Sequence, residues 1–324
     1  MAFVRNWRSS RGVDGPFVLS FDDIPELNGL FSDAFTDRYR RDGLVGVRVP
    51  HLNPAVWKYA IADAGRGAMC WRDEQRRMVA FNLVHASGIE GWMGPLAVDS
   101  ELQGSGLGKT IVCAGLEWLK ARQARVIGLE TMPRTVVNVG FYSRLGFVPA
   151  NLTVTLTVEA PPANRIPTTL GALDAAERPL ALGRCADLLT SVAPGYDFSR
   201  EIQLTSELEL GDVVTHTVDG ELRAFALYHT VPLAEGRARD ELRVLKLVAR
   251  DESALDGVLP ELLAAARRAG TKRIAVRAQG AYSGAYRLLV DRGARVRWTD
   301  LRMTAFGHPE PMPTEGIVLS NWEI

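Results

Sequence analysis

Apolar positions along this chain follow two periods, near two residues in some stretches and near 3.6 in others, which predicts alternating strands and helices. Phe17-Val18-Leu19 reads as a short strand. Asp22-Asp23-Ile24-Pro25 then looks like a helix start with proline in its first turn, and Asn53-Pro54 opens a second helix through Trp57, Ile61 and Ala62. The apolar runs Ala68 to Trp71 and Met78 to Val84 flank the polar turn Asp73-Glu74-Gln75-Arg76, a hairpin signature. A strand is expected from Trp92 to Val98, then a glycine-rich turn from Gln103 to Gly108. The spacing of Ile111, Val112, Gly115, Leu116 and Leu119 predicts a helix from Lys109 to near Arg122. A strand at Val126 to Leu129, a helix from Val136 to Leu145 and an alternating strand from Leu152 to Val158 complete the first half.

Three prolines within Ala160-Pro161-Pro162-Ala163-Asn164-Arg165-Ile166-Pro167 read as a linker. Beyond it the order of elements repeats. A helix from Cys185 to near Ser191 precedes a hairpin, Val213 to Val218 and Leu222 to Tyr228 around Asp219-Gly220. A strand from Leu242 to Val248, a helix from Ala254 to Ala269, a strand at Ile274 to Val276, a helix from Ala285 to Val290 and one or two strands from Val296 to Phe306 follow. Two halves of equal length with the same order point to internal duplication. The expected division is residues 1–159, a linker at 160–167, and residues 168–324.

The 324 residues are 47% hydrophobic and 23% charged, enough apolar surface for two cores. Acidic and basic residues balance at 38 each, which argues against nucleic acid as the main partner. Cys70, Cys113 and Cys185 are too widely spaced for a metal-ligand pattern, so no metal is expected and buried reduced thiols are. The stretch Met1 to Arg8 lacks a signal-peptide core, and no later stretch reaches the ~20 apolar residues of a membrane span. A soluble cytoplasmic protein without a membrane partner is the expectation.

The candidate chemistry lies in Gln103-Gly104-Ser105-Gly106-Leu107-Gly108, between an apolar strand and an apolar helix. Glycines let backbone N–H groups approach an anion, and the helix start adds unsatisfied N–H groups and the positive dipole end. A dinucleotide fingerprint fails because Lys109 stands where its third glycine belongs. A P-loop matches at Gly108-Lys109-Thr110, yet Gln103 occupies its first glycine, and Asp99 and Glu101 place negative charge beside a triphosphate.

Leu96 to Gly108 resembles the acetyl-CoA signature of the GNAT superfamily of N-acetyltransferases, Arg/Gln-x-x-Gly-x-Gly/Ala, with Gln103, Gly106 and Gly108 at the fixed positions. The segment Asn138-Val139-Gly140-Phe141-Tyr142-Ser143-Arg144-Leu145-Gly146-Phe147 is similar to the family's later helix, which carries a tyrosine and ends in Leu-Gly-Phe. The resemblance implies an α/β (α+β) fold of two tandem GNAT-like domains, each a mixed, mostly antiparallel sheet flanked by helices. It also implies N-acetyl transfer from acetyl-CoA to an amine by direct attack in a ternary complex.

In that scheme Leu96, Ala97 and Val98 pair with the pantetheine arm. N–H groups of Gln103, Gly104, Ser105, Gly106, Leu107, Gly108 and Lys109 bind the pyrophosphate. Asn138 contacts the cofactor, and Tyr142 protonates the leaving sulfur. The resemblance points to Glu130 as base, directly or through water, against a competing reading as a salt-bridged carboxylate. His85, Glu90 and the C-terminal carboxylate of Ile324 are further candidates. Trp57, Tyr59, Trp71, Phe81 and His85 are candidates to line the acceptor pocket.

The second half lacks the alternating glycines. Ala249 to Gly257 carries Asp251, Glu252 and Asp256 instead, and Ala294 follows Gly293 where the family has an aromatic. It therefore reads as a degenerate copy without cofactor. The acceptor is expected to be a small-molecule amine and the protein a monomer or homodimer. A non-catalytic acyl-CoA sensor and a P-loop nucleotide hydrolase stand as the alternative functions.

Overall fold

The computed structural model describes residues 12–162, 164–312 and 314–322, so Met1 to Arg8 and Ile324 lie outside the described residues. The first half runs β1 (Asp14–Val18), α1 (Ile24–Arg41), α2 (Pro54–Ala64), β2 (Ala68–Arg72), β3 (Met78–Ser87), β4 (Glu90–Val98), α3 (Leu107–Ala121), β5 (Val126–Thr131), α4 (Val136–Arg144) and β6 (Phe147–Glu159). The helix starts follow the local chemistry. Pro25 sits in the first turn of α1, and the Asn53 side chain accepts the Ala55 N–H at 3.0 Å to cap α2.

The second half runs α5 (Arg178–Val192), α6 (Ser199–Glu207), β7 (Gly211–Val218), β8 (Glu221–His229), β9 (Glu241–Ala249), α7 (Glu252–Arg268), β10 (Arg273–Gln279), α8 (Ser283–Asp291), β11 (Arg295–Ala305) and β12 (Ile317–Ser320). Two of these elements are absent from the sequence expectations. The buried face of α6 carries Glu201 and Thr205 beside Ile202, which hides its period, and β12 is only four residues long.

The strands form one sheet in the order β1-β2-β3-β4-β5-β11-β6-β10-β9-β8-β7, with β12 on β9. Its pairs are antiparallel except β4 with β5 and β9 with β10, where the crossover helices α3 and α7 make parallel pairing possible. The halves exchange their long strands. β11 pairs with β5, and β6 pairs with β10, so the sheet is continuous through both copies.

Alternation along β3 divides the first-half core. Ala80 and Val84 face α3 with Ile111 and Leu119, while Phe81 and Leu83 face α1 and α2 with Phe31, Trp57 and Ile61. Among the described residues no helix is long and apolar enough to cross a membrane.

Candidate active site

The parallel pairing of β4 with β5 extends only from Glu90↔Val126 to Met93↔Leu129. Past that point β4 keeps β3, through Leu96↔Asn82, Ala97↔Phe81 and Ala80↔Val98, but leaves β5. Gly94 and Pro95 cause the divergence. They are two residues opposite the single Leu83, a bulge that bends β4, and Pro95 contributes no N–H. A wedge-shaped gap therefore opens between the ends of β4 and β5. The backbone of Leu96, Ala97 and Val98 forms one wall, and no described strand pairs with that edge.

The glycine-rich loop lies at the mouth of the gap. Gly104 and Gly106 take left-handed φ values of +79° and +93°, and a Cβ at either would meet nothing within 4 Å. Backbone conformation thus requires glycine at these two positions, and the space in front of them stays open. Gly106 is also the residue that caps α3, with no side chain to satisfy the helix. The Thr110 N–H to Gly106 carbonyl bond (3.2 Å) is the first in the helix, so the N–H groups of Leu107, Gly108 and Lys109 project from its end. Gly108 lets α3 approach Phe141 of α4, its would-be Cβ lying 3.4 Å from that ring.

The Gln103 amide bonds the Val98 carbonyl at 3.3 Å, and Arg41 donates to its oxygen at 3.0 Å. Asp42, the next residue, accepts Thr135 Oγ1 at 2.5 Å, and its carbonyl accepts Arg134 at 2.5 Å. The last turn of α1 therefore braces both the loop and the start of α4. These contacts are not legible in the local sequence, because 62 and 93 positions separate the partners. The residues present suit a pyrophosphate: uncapped N–H groups, open glycines and the cations Lys109 and Arg41.

Asn138 sits half-buried in the first turn of α4, with Tyr142 one turn later on the same side. Tyr142 is buried beside Phe141 and Phe147, in the cluster that also holds Met93 and Leu129, the last paired residues before the gap. Burial pushes its phenol well above the ordinary tyrosine value, so it stays protonated at neutral pH.

Glu130, the first residue of β5 past its pairing with β4, is bound on several sides. It accepts Thr153 Oγ1 at 2.5 Å, forms an ion pair with Arg277, and faces Arg302, its cross-strand partner, at 3.5 Å. Burial raises its pKa, but Arg277, Arg302 and the Thr153 bond outweigh that and hold it below the ordinary carboxylate range. The competing sequence reading, a salt-bridged carboxylate, describes this arrangement.

The other acid–base candidates are engaged as well. His85 Nδ1 is 2.6 Å from Asp63, which also binds Arg200 at 2.9 Å, and the His85 ring stacks on Trp322 with centroids 5.1 Å apart. Glu90 accepts Trp92 Nε1 at 2.8 Å and Ser320 Oγ at 2.7 Å. The proposed acceptor aromatics are core residues instead. Trp57, Trp71 and Phe81 are each at most 1% exposed, and Tyr59 is buried edge-on against His229.

In the second half the equivalent gap is filled by the chain itself. β9 and β10 pair only to Val244↔Val276, and beyond that β12 lies antiparallel on β9 from Ser320↔Lys246 to Ile317↔Ala249. Asn321 completes the fill. Its N–H donates to the Leu245 carbonyl at 3.0 Å, and its side chain bonds the Arg277 carbonyl at 3.1 Å and Gln279 at 3.0 Å. At the start of α7 the Asp251 side chain accepts the Ala254 N–H at 2.7 Å, so that helix end is capped from within.

Residues 32–147 match the family described as the acetyltransferase (GNAT) family. That stretch of the chain is similar to a GNAT domain. The fold of the whole chain agrees with tandem GNAT proteins. A putative acetyltransferase from Pyrococcus horikoshii superposes with a TM-score of 0.65 at 15% identity, covering 94% of this chain and 92% of that one. A tandem GNAT protein from the clavulanic acid biosynthesis pathway gives 0.60 at 11% identity, covering 91% and 98%. Saccharomyces cerevisiae N-myristoyltransferase with bound myristoyl-CoA gives 0.65 at 9% identity, covering 96% and 82%. A search of curated proteins by sequence finds no match. The GNAT fold supports acyl transfer from an acyl-CoA to an acceptor. Among the described residues no cluster of three or more His, Cys, Asp or Glu could hold a metal ion.

Proposed function

We propose that the protein is an N-acyltransferase that moves an acetyl group from acetyl-CoA to a primary amine of a small molecule, by direct attack in a ternary complex. The observation that carries this reading is the open gap between β4 and β5, which ends at the uncapped N-terminus of α3. The N–H groups of Gln103, Gly104, Gly106, Leu107, Gly108 and Lys109 hold the pyrophosphate, the Ser105 N–H being turned to the Leu102 carbonyl at 3.3 Å, and Asn138 contacts the cofactor arm. The backbone of Leu96 to Val98 aligns that arm along β4 and polarises the thioester carbonyl. Holding donor and amine in line supplies much of the rate.

Tyr142 is the proton donor to the leaving sulfur, and its raised pKa keeps the required proton in place. Glu130 is given an electrostatic part. Its charge holds Arg277 and Arg302 in place, and these guanidinium partners make it a weak base, so the amine attacks in its neutral form and its proton passes to water. The second half walls the acceptor side through Arg277 and Arg302 and takes no cofactor. The three thiols are free, in keeping with a reducing cytoplasmic setting.

Isothermal titration with acetyl-CoA tests the reading at its first step. One site per chain is the expected stoichiometry. Two sites, or none, would contradict it.

A further inference from the structure

A cavity of about 510 Å³ lies between the halves, away from the β4–β5 gap. Its walls include Ile89 and Val126 at the opposite ends of β4 and β5 from the gap, Tyr196 after α5, Tyr282 before α8, and Val318 of β12. The volume falls in the range of small-molecule sites, roughly 300–1,000 Å³. Apolar and aromatic groups dominate the walls, with Glu310 as the carboxylate among them and Arg125, beside Val126, as the cation.

Arg302 and Trp92 separate this cavity from the acyl-transfer gap. The Arg302 side chain is 1% exposed and lies over the Trp92 ring at 3.9 Å. It reaches Glu130 on the gap side at 3.5 Å and Glu310 on the cavity side at 3.3 Å. One guanidinium thus serves two carboxylates. Glu130 has Arg277 and Thr153 besides, and Glu90 nearby has Trp92 and Ser320. Glu310 has Arg302 as its ion-pair partner while its side chain is only 18% exposed. It is short of positive charge in a place where water compensates poorly.

We propose that this cavity is a second ligand site, taking a small organic ammonium ion with an apolar or aromatic body and holding its charge on Glu310. The ligand's body replaces water against Ile89, Val126 and Val318, and the Tyr196 and Tyr282 rings add faces suited to a cation. Burial, reinforced by Glu90 and Glu130 and opposed by Arg302, raises the Glu310 pKa to about 7. A bound ammonium ion supplies the missing counter-charge and draws Glu310 into its ionised form. The site does not depend on the acyltransferase reading, since its lining residues are not those of the gap and Arg302 lies between the two.

Calorimetric titration at about pH 8 with butylamine, hexylamine and 2-phenylethylamine, each against its matched alcohol, tests the assignment. At least one amine is expected to bind about tenfold or more tightly than its alcohol. That preference should vanish in Glu310→Gln and persist in Gly106→Glu, whose defect lies in the other site. Met312→Trp, at a partly exposed wall residue, should block amine and alcohol alike while leaving the melting temperature unchanged. Amine affinity should also fall as the pH is lowered through about 7 and Glu310 takes up a proton. No saturable amine binding, equal binding of the alcohols, or full amine binding in Glu310→Gln would overturn the proposal.

Discussion

The hydroxyl of Ser320 donates to the Glu90 carboxylate at 2.7 Å, joining the last strand of the second half to the strand that opens the gap in the first. Ser320 also accepts the Lys246 ammonium at 2.9 Å, and that cation, fully buried, lies 3.4 Å from the Trp322 ring centroid and 3.8 Å from Glu201. The strand that fills the second gap is therefore also the seam between the halves. One copy keeps its gap open, and the other closes its own and carries the closing strand to the interface.

Removing the buried cation should expose the cost of this arrangement. Lys246→Met leaves Glu201 without its ammonium partner and should destabilise the fold by about 3–5 kcal/mol in chemical denaturation. Burial, with Asp63 adding to it, already raises the Glu201 pKa to about 7. Its ionised form is therefore the unfavourable one, and the loss in Lys246→Met should be largest above about pH 7 and smaller near the ordinary glutamate value of 4.5. A loss that does not vary with pH would contradict this role.

The opposite sign applies to Glu130, whose folded pKa is depressed below 4.5. Its stabilising contribution is complete above that value and disappears as the pH falls through the lowered pKa. Glu130→Gln should cost about 1–3 kcal/mol at neutral pH, with the difference from wild type shrinking below about pH 4.5. Thermal melts of both proteins across that range check it. If Glu130 were the direct base and little else, Glu130→Gln would lose turnover with no change in melting temperature.

Tyr142→Phe removes the phenol and little volume. Turnover should fall about 10- to 1000-fold while acetyl-CoA affinity, measured by titration, changes little. Unchanged turnover would remove Tyr142 from the mechanism.

Gly106→Glu places a side chain at φ +93° and a carboxylate at the end of α3. Strain and charge repulsion should abolish CoA binding. The core residues of α3 are untouched, and circular dichroism should show a folded protein. Retained binding would separate the loop from the pyrophosphate.

The loop was legible in the sequence because glycine is a statement about backbone conformation. Gly104 and Gly106 both take left-handed φ, and Leu107 to Ala121 follows as the amphipathic helix its period predicts. The duplication was legible for a similar reason, since hairpins and helices carry their own periods. What distance in sequence concealed was the environment of each side chain. Glu130 can be read from the sequence as a base or as a salt-bridged carboxylate, and its partners Arg277 and Arg302 come only with β10 and β11. Trp57, Trp71 and Phe81 look equally suited to a pocket or a core, and only the sheet's two faces decide between them. Ile317-Val-Leu-Ser320 is too short for periodicity to assign, and its partner lies on β9 about 70 residues earlier. The expected strand from Trp92 to Val98 passes over Gly94-Pro95, although a glycine–proline step inside a strand is a local signal of a bulge.

Release of free CoA from acetyl-CoA, followed with a thiol reagent across a panel of primary amines, tests the central claim most directly. Thiol release should require both the protein and an amine, with acyl-amine formed in equal amount, and Gly106→Glu should give none. Acetyl-CoA that binds yet yields no thiol with any amine of the panel would contradict it, leaving an acyl-CoA-binding protein without turnover.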